Sequence, residues 1–517
     1  MRLLVKLFII SVISTFVMSG FTRTNELPDV HDPTIAYRTQ IFIDSLSAGQ
    51  FPPAWHNSLN YGYGYPLNLY YAPLITILTS ATTLITKNIV SSVKITLWLI
   101  TFFGMWGVSK ILNKYNPIVS VMAAVAFALL PYHASALYVR GSYAEYLALN
   151  IIPWVLYYWT VPLSNNKNIA KAVIMTFLLL ISHNTLPFIA LPAVFLISFL
   201  IQKENLKQII MVTILSFMLS AAFLMPALLE RGLIQVDYIA NQTVLNDHFV
   251  FLRQLWYSPW GYGGSAPGIS DLMSFMLGKG QVILAIIGLA VMLHKKDKYA
   301  LLTTLPLISL LILALPISRG FWELLPSLSI LQFPWRVIGI ATIGISLAVG
   351  LAFALIKNSL NKILAILMLV GLVATNYVYF KPWNKLTYNH DILTSKTNLY
   401  PLVANKIPEY LPAWMPKFPT TEPNDGLTRN ITSVTGQIEN QTLQTITIQT
   451  AYMPHWKLTL NGYPTDIVPN QDGTIRTHAV IPPGKYEVNL VWHKTPLEKF
   501  GILLSLIAVS IVLGLSL

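Results

Sequence analysis

Apolar runs of membrane length recur along most of the chain, separated by short polar connections. Each run has roughly 17 to 22 residues, a length that crosses about 30 Å of hydrocarbon as a helix. The pattern predicts an α-helical polytopic membrane protein with 12–13 transmembrane (TM) segments. Their centres lie near residues 12, 76, 101, 127, 154, 176, 193, 217, 286, 308, 346, 370 and 508.

Composition and charge placement support the membrane class. Hydrophobic residues make up 54% of the 517 residues and charged residues 11%, against roughly 25% charged residues in soluble domains. The net charge of +13 comes largely from Lys and Arg in short connections, as the positive-inside rule predicts for cytoplasmic loops, so it does not indicate nucleic-acid binding. The chain has no cysteine, which excludes disulfides and thiolate chemistry.

The first apolar run fixes the expected orientation. Arg2 and Lys6 lie at its start, and no convincing cleavage site follows it, so we expect an uncleaved signal anchor. The protein is then expected in the inner (cytoplasmic) membrane, with both chain termini in the cytoplasm. The first loop, 22–65, a second loop at 228–276 and the tail then face outward. Lysines at 167 and 171 also place residues 140–145 outside, so the run at 66–86 is expected to be tilted, re-entrant or partial.

Residues 381–496 predict a separate β-rich domain. Apolar and polar residues alternate over 443–450, a second strand is expected at 456–460, and Asn461-Gly462 is a strong hairpin signal. A closing strand is expected at 488–492, and a last TM helix at 497–517 tethers this β-sandwich-like module. It could bind sugar or polymer, or it could be a scaffold packed over the membrane site.

The first outer loop carries the strongest chemical signal, with Asp29, His31 and Asp32 just beyond a membrane exit. A carboxylate there can act as a general base, and two of these groups could share a divalent cation. Asp32 precedes Pro33, so its alternative role is to cap the following helix. Asp29 has no helix to cap and is the preferred catalytic candidate.

A second polar cluster lies at 138–146 and contains Arg140 and Glu145. Arg140 can grip phosphate with two hydrogen bonds, so the pair predicts a phosphate site; a purely structural ion pair is the alternative. His183, at the end of another helix, adds a polar group on the same side. A lone histidine there is more often a satisfied interface residue than a ligand.

A third cluster, Gln332, Trp335 and Arg336, precedes an apolar run. Together these residues could bind a sugar or a lipid phosphate, although Trp335 and Arg336 also suit anchoring at the lipid boundary. The aromatic and glycine-rich stretch at 256–264 in the second outer loop could line a glycan cleft or form an interfacial belt.

Six motifs together carry a resemblance to a known family. They lie at 29–32, 51–55, 62–66, 138–145, 332–336 and, in the tail, 454–457 with Pro483-Gly484. On these motifs the chain is similar to YfhO-like proteins and to the bacterial membrane proteins related to 6-pyruvoyl-tetrahydropterin synthase, which have a GT-C glycosyltransferase-like fold. The likeness covers nearly the whole chain, although pterin chemistry is not expected because no compact His-rich site is evident.

This resemblance implies an inverting glycosyltransferase that uses a polyprenyl-phosphate-linked sugar donor and an envelope glycan or lipid acceptor at the outer face. Asp29 matches the acidic residue of the first outer loop, with Asp32 second, and Arg140 and Arg336 would hold the phosphate. The two aspartates are neither adjacent nor in an Asp-x-Asp pair, which argues against a bound metal, and many members of this fold class need none. The resemblance therefore implies no required cofactor, with a divalent cation left open.

A non-catalytic scaffold or a lipid-linked-precursor transporter with the same fold is the alternative function. A transporter would place polar residues near the bilayer midplane in several helices. Here the candidates gather at the outer helix ends, which favours surface chemistry.

Overall fold

The architecture comes from a computed structural model that describes residues 3–22, 25–237, 245–325, 331–355, 359–383, 386–395 and 407–516. Most of the chain is helical, and a β-rich region precedes a final apolar helix. This agrees with the predicted fold class. Each predicted apolar segment contains a helix at its expected centre.

The helices up to the second outer loop are α1 Leu3–Val17, α2 Ile35–Ser47, α3 Leu67–Tyr70, α4 Leu74–Thr86, α5 Ile89–Ile111, α6 Pro117–Ala128, α7 Pro131–Ser135, α8 Tyr143–Thr160, α9 Asn166–Leu180, α10 Leu186–Ile201, α11 Leu206–Leu219 and α12 Ala221–Leu229. The later helices are α13 Leu252–Trp256, α14 Lys279–Lys295, α15 Lys298–Ser309, α16 Leu311–Ala314, α17 Arg319–Leu324, α18 Val337–Ala352, α19 Ser359–Asn376, α20 His390–Thr394 and α21 Pro496–Ser516.

Several apolar segments are divided into shorter helices. In the described part of the chain, four helices are long and apolar enough to cross a membrane, or up to six if two bent pairs each count as one span. The bent pairs are Leu186–Ile201 with Lys203–Leu219, at 119°, and Lys298–Ala314 with Pro316–Leu324, at 86°. Proline and short polar breaks interrupt helical hydrogen bonding, which a hydropathy count does not register.

The segment predicted to be tilted, re-entrant or partial, 66–86, is broken near Pro73. Its main helix, α4, has 13 residues and therefore rises about 20 Å, short of the hydrocarbon thickness. Asn184 bridges the break: its side chain accepts a hydrogen bond from the Ala72 amide at 2.8 Å and donates one to the Tyr70 carbonyl at 2.7 Å. The break is thus tied to the loop between α9 and α10.

The tail contains two antiparallel sheets. Their strands are β3 Thr428–Arg429, β4 Ser433–Asn440, β5 Thr447–Ala451, β6 Trp456–Leu460, β7 Tyr463–Thr465, β8 Ile467–Pro469, β9 Thr474–Thr477 and β10 Gly484–Trp492. A five-stranded sheet has the order β3-β4-β10-β6-β7, and a three-stranded sheet has the order β5-β9-β8. Asn461 and Gly462 both have positive φ in the β6–β7 hairpin, as predicted for this turn.

The tail is docked on the first outer loop. Trp55 is fully buried, stacks on Trp492 with ring centroids 4.7 Å apart and meets Trp456 edge-on at 5.3 Å. Gly64 is required beside it, because a Cβ there would lie 2.0 Å from the Trp55 ring. A two-stranded ladder of β1 (Leu27–Pro28) and β2 (Leu386–Tyr388) adds a second link between loop and tail. The arrangement gives the tail a packing role.

Candidate functional site

Backbone pairing brings the first outer loop against the Arg140 segment. The His31 amide donates to the Val139 carbonyl and the Asp32 amide to the Arg140 carbonyl, each at 3.0 Å. A π-helical turn at 136–140 ends at Gly141, whose φ is +65°. A Cβ at Gly141 would lie 2.3 Å from the Val30 side chain, so glycine permits both the left-handed conformation and the close approach of the loop.

Arg140 and Glu145 form a buried ion pair. The Arg140 guanidinium donates to the two Glu145 carboxylate oxygens at 2.9 and 2.6 Å, and the Tyr132 hydroxyl donates to the same carboxylate at 2.7 Å. Glu145 has no exposed surface, whereas Arg140 is 9% exposed. This is the structural ion pair considered as an alternative, and it leaves Glu145 beneath Arg140 and away from the cavities described next.

Two neighbouring cavities share Asp32, Ser142 and Arg336 in their walls. The first cavity measures about 640 Å³, and its other walls come from the first and second outer loops and the start of α18. The second measures about 240 Å³ and lies against the α9–α10 connection. Seven of the nine predicted site residues line one or both: His31, Asp32, Arg140, His183, Gln332, Trp335 and Arg336.

Asp32 is the carboxylate at the shared wall. Its Oδ1 accepts hydrogen bonds from the Thr34 hydroxyl at 2.5 Å and from the Thr34 amide at 3.4 Å. Thr34 is the N-cap residue of α2, so Asp32 supports the helix start from two residues upstream. Within the described chain Oδ2 accepts no hydrogen bond, which leaves this oxygen available to a ligand in either cavity.

Asp29 lies outside both cavities, against two tyrosines. The hydroxyls of Tyr262 and Tyr388 donate to its carboxylate. Burial and the Asp29 charge raise the pKa of Tyr262 to about 12 and also raise the pKa of Tyr388. Both hydroxyls therefore keep their protons at neutral pH, and Asp29 serves as an acceptor that ties the second outer loop and β2 to the first loop. His31 packs edge-on against the same Tyr262 ring at 4.5 Å.

Arg336 carries a positive charge without a carboxylate partner among the described residues. It follows Pro334 and Trp335 in a short 3₁₀ turn at the start of α18. Its guanidinium donates to the Leu331 carbonyl at 3.0 Å, the Gln332 side chain at 3.2 Å and the Thr185 hydroxyl at 3.3 Å, whereas its buried Nε has no partner. These neutral acceptors orient the guanidinium and leave its charge for an anion.

Trp335 lines the first cavity and His183 lines the second. The Trp335 ring lies under the Arg140 guanidinium at 4.6 Å and stacks on Phe333 at 5.0 Å. The Nδ1 of His183 accepts from the amides of Thr185 and Leu186, both at 3.1 Å. That nitrogen is therefore unprotonated, so the proton of the neutral imidazole lies on Nε2, where it can act as a donor.

The second outer loop contributes Asp247, His248 and the glycine-rich end of its 256–264 stretch to the first cavity. Asp247 and His248 line the cavity, and His248 is held by Ser265 at 3.0 Å and by an edge-on contact with Phe333 at 4.8 Å. Trp256 is instead 44% exposed and lines neither cavity. The glycine-rich end of the predicted stretch therefore reaches the cavity, whereas its first aromatic residue does not.

Three charged residues at or near the second cavity were not predicted. Arg231 lines the cavity and pairs with Asp237 at 3.3 Å. Glu409, from the tail, lines it directly. Arg38, on α2, is 4% exposed and lies 3.5 Å from the ring centroid of Tyr71, which lines the same cavity. Arg38 shares a helix face with Ile35 and Phe42, and a lone cation on an apolar face is a usable sequence signal. Glu409 has no comparable signal.

Glu409 should make stability depend on pH. Burial, with a further contribution from the Asp32 charge, raises its pKa from 4.5 to about 7. Between these values the folded chain holds a proton that the unfolded chain has lost, so the free energy of unfolding falls as pH rises. We expect the unfolding temperature of the detergent-purified protein to drop from pH 5 to pH 8, with a smaller drop in Glu409→Gln. Exposed Glu422→Gln is the control; equal pH slopes in the wild type and Glu409→Gln would contradict the expectation.

Asp29, His31 and Asp32 do not gather as metal ligands. Across the described residues, the only group of three suitable side chains with mutually close ligand atoms lies elsewhere, at Glu230, His455 and Glu498. The shared wall of the two cavities instead offers a carboxylate oxygen and a guanidinium without a carboxylate partner among the described residues, and the His183 imidazole lines the second cavity as a donor. This set can accept a proton and stabilise an anion without a bound cation.

Comparison with known proteins places the chain in a family. The sequence profile of the 6-pyruvoyl-tetrahydropterin synthase related domain, described as a membrane protein, matches residues 69–386, more than half of the chain. The chain belongs to this family. The family match includes Arg140, His183 and Arg336, whereas Asp32 and Glu409 lie outside the matched range. No curated protein matches the sequence.

The fold of this family member is GT-C-like, as its likeness to a solved structure with a TM-score of 0.50 shows. The mycobacterial arabinofuranosyltransferase AftD matches with a TM-score of 0.50 and 16% identity over 72% of this chain and 26% of that chain. The Archaeoglobus fulgidus oligosaccharyltransferase in its apo form matches with a TM-score of 0.41 and 14% identity over 74% of this chain and 56% of that chain. The chain thus spans about a quarter of the first protein and about half of the second. At this identity the likeness describes the fold alone.

Proposed function

We propose that this protein is an inverting membrane glycosyltransferase that transfers a sugar from a polyprenyl-phosphate donor to a cell-envelope acceptor at the outer membrane face. The observation that carries the proposal is the wall shared by the two cavities, where the Asp32 carboxylate and the Arg336 guanidinium both lie. A base and an anion-stabilising group on one wall are what a single displacement at an anomeric carbon requires.

In this proposal Asp32, rather than Asp29, is the general base. Asp32 lines both cavities and its Oδ2 accepts no hydrogen bond from the described residues, so the acceptor can occupy one cavity and the donor the other. The bond from Thr34 to Oδ1 fixes the orientation of the carboxylate. Asp29 lies outside the cavities and accepts hydrogen bonds from two tyrosine hydroxyls. It would therefore support catalysis by holding the first loop, and with it Asp32, in position.

Arg336 is proposed to hold the donor phosphate, and Arg140 to contribute less. Glu145 neutralises Arg140 through two hydrogen bonds, whereas no described carboxylate pairs with Arg336. His183 Nε2 and Gln332 are further polar groups on the second cavity. A guanidinium suits this role because it donates two parallel hydrogen bonds to phosphate oxygens.

The reaction then proceeds in one displacement. Asp32 takes the proton of an acceptor hydroxyl, the acceptor oxygen forms a bond to the anomeric carbon, and the bond from that carbon to the phosphate oxygen breaks. The electron pair leaves with the polyprenyl phosphate, whose negative charge Arg336 stabilises. The configuration at the anomeric carbon is inverted.

An apolar cavity supports a lipid-linked donor. It measures about 470 Å³ and lies between α2, α4, α9, α12 and α21. Phe223 lines both this cavity and the second polar cavity. A polyprenyl chain seated there would bring its phosphate toward Arg336 while its isoprene units remain among apolar side chains.

Binding of polyprenyl phosphate tests the donor assignment. We expect Arg336→Gln to weaken binding of polyprenyl phosphate to the full-length protein in detergent by about 10- to 100-fold, because a hydrogen-bonded charge contributes about 1.5–3 kcal/mol. The measurement is a titration followed by native mass spectrometry. The neutral polyprenol should bind the wild type and the variant equally.

Arg253→Gln provides the matched control, because Arg253 is an exposed cation in the second outer loop and lines neither cavity. It should bind polyprenyl phosphate like the wild type. Equal affinity in the wild type and Arg336→Gln would rule out Arg336 as the phosphate ligand.

A further inference from the structure

Three potential metal ligands meet away from the two polar cavities, where the tail joins the membrane domain. Glu230 follows α12, His455 lies between β5 and β6, and Glu498 is in the first turn of α21. One ligand atom of each lies within 4.8 Å of the others. The closest contact is 2.9 Å, from His455 Nε2 to Glu498 Oε1.

His455 and Glu498 are buried, Glu230 is half-buried, and the groups are incompletely hydrogen-bonded. His455 is 1% exposed and Glu498 3% exposed. Neither ring nitrogen of His455 makes an aligned hydrogen bond, and the buried Oε2 of Glu230 has no partner. Burying such groups unpaired is costly, and no described Lys or Arg forms an ion pair with either glutamate. The cluster therefore has donor atoms and negative charge to offer a cation.

Neighbouring contacts hold two of the ligands in place. The His455 ring stacks on Trp492, with centroids 4.2 Å apart and planes inclined by 10°. Glu498 Oε1 accepts from the Thr495 amide at 3.0 Å, and the Thr495 hydroxyl accepts from the Glu498 amide at 3.1 Å, so this carboxylate is fixed at the start of α21. Such support limits the reorganisation needed to bind an ion.

We propose that Glu230, His455 and Glu498 bind a zinc-type divalent transition-metal ion. One imidazole and two carboxylates suit such an ion, whereas Mg²⁺ and Ca²⁺ prefer all-oxygen sets. Ligand atoms at zinc distances of about 2.0–2.2 Å lie about 3.3–3.6 Å from one another around a tetrahedral ion. The His455 and Glu498 atoms would therefore separate slightly from 2.9 Å, and the more distant pairs would move closer. Three protein ligands leave a fourth position for water.

The site would act as a clamp between three parts of the chain. His455 belongs to the tail, Glu498 to the last helix, and Glu230 to the end of α12, whose Leu224 and Ala227 line the second cavity. A bound ion would fix the tail over that cavity. This inference does not depend on the proposed transferase activity, because the clamp can exist in a transferase or in a scaffold.

Zinc binding to the purified chain tests the site. The full-length protein, carrying an affinity tag without histidine, is stripped with EDTA in detergent and titrated with Zn²⁺ by calorimetry, and retained metal is measured after dialysis. We expect one zinc per chain and a higher unfolding temperature. Glu230→Gln should weaken zinc binding at least about tenfold, and His455→Ala should abolish retention and the temperature increase.

Matched variants separate this site from general metal binding. His478→Ala and Glu487→Gln remove exposed residues of the same domain and should retain zinc like the wild type. If His455→Ala does not fold, Glu230→Gln decides, because it keeps the side-chain shape. Failure of the wild type to retain zinc, or equal zinc affinity in Glu230→Gln, would overturn the proposal in favour of an ion pair between His455 and Glu498.

Discussion

Asp32→Asn is expected to reduce sugar transfer by about 10²- to 10⁴-fold, the contribution of a general base. Asparagine keeps an oxygen to accept from the Thr34 hydroxyl, which bonds to Asp32 at 2.5 Å, but it cannot take the acceptor proton. The measurement is recovery of envelope glycan composition when each variant is expressed in a strain whose glycan changes on deletion of the gene. Membrane abundance of each variant is measured in parallel.

Asp29→Asn is the informative comparison. Tyr262 and Tyr388 donate to Asp29, and an amide oxygen still accepts, so we expect a much smaller loss than for Asp32→Asn. Asp391→Asn, at an exposed position of α20, controls for loss of negative charge. If Asp29→Asn is inactive and Asp32→Asn is active, the base is Asp29; if both restore the glycan fully, the transferase proposal fails.

Glu145→Gln is expected to lower the free energy of unfolding by about 3–5 kcal/mol, because it leaves a buried guanidinium without its counter-charge. Glu145 is fully buried and accepts two bonds from Arg140 and one from Tyr132. Denaturant unfolding of the detergent-purified protein measures the change. Because glutamine has nearly the same shape as glutamate, the loss of unfolding free energy measures the effect of removing the negative charge.

The double variant Arg140→Met/Glu145→Leu tests this explanation. Replacing both members of a buried ion pair by apolar residues is often neutral or stabilising, so the double variant should regain much of the stability lost in Glu145→Gln. Its activity can still be low, because Arg140 lines the first cavity. If the double variant is no more stable than Glu145→Gln, the unpaired Arg140 charge is not the cause of the stability loss in Glu145→Gln.

Much of the fold could be predicted because burial patterns are local in sequence. Each apolar run yields a helix, and the Asn461-Gly462 turn falls between β6 and β7. Helix length was harder to predict, because a run such as 186–219 is bent by 119° without losing its hydrophobicity. The strand predicted at 443–450 is observed as Thr447–Ala451, because the ends of a strand are set by its pairing with the partner strand.

The site was harder to predict because side-chain partners are distant in the chain. The sequence around Asp29 does not indicate that Tyr262 and Tyr388 will donate hydrogen bonds to its carboxylate. The cap signal at Asp32 was present, but a bond through one oxygen does not exclude a chemical role for the other. Glu409 reaches the second cavity only through docking of the tail, a long-range event that no local pattern encodes.

The Trp55, Trp456 and Trp492 cluster imposes an order on biosynthesis. Trp55 leaves the ribosome long before Trp456 and Trp492, its two ring partners. Because chains emerge from the N-terminus first, the first loop must remain uncovered by the tail until both tail tryptophans have been made. A prematurely terminated chain would insert most of its helices yet leave this tryptophan uncovered, a lesion that quality-control proteases can recognise.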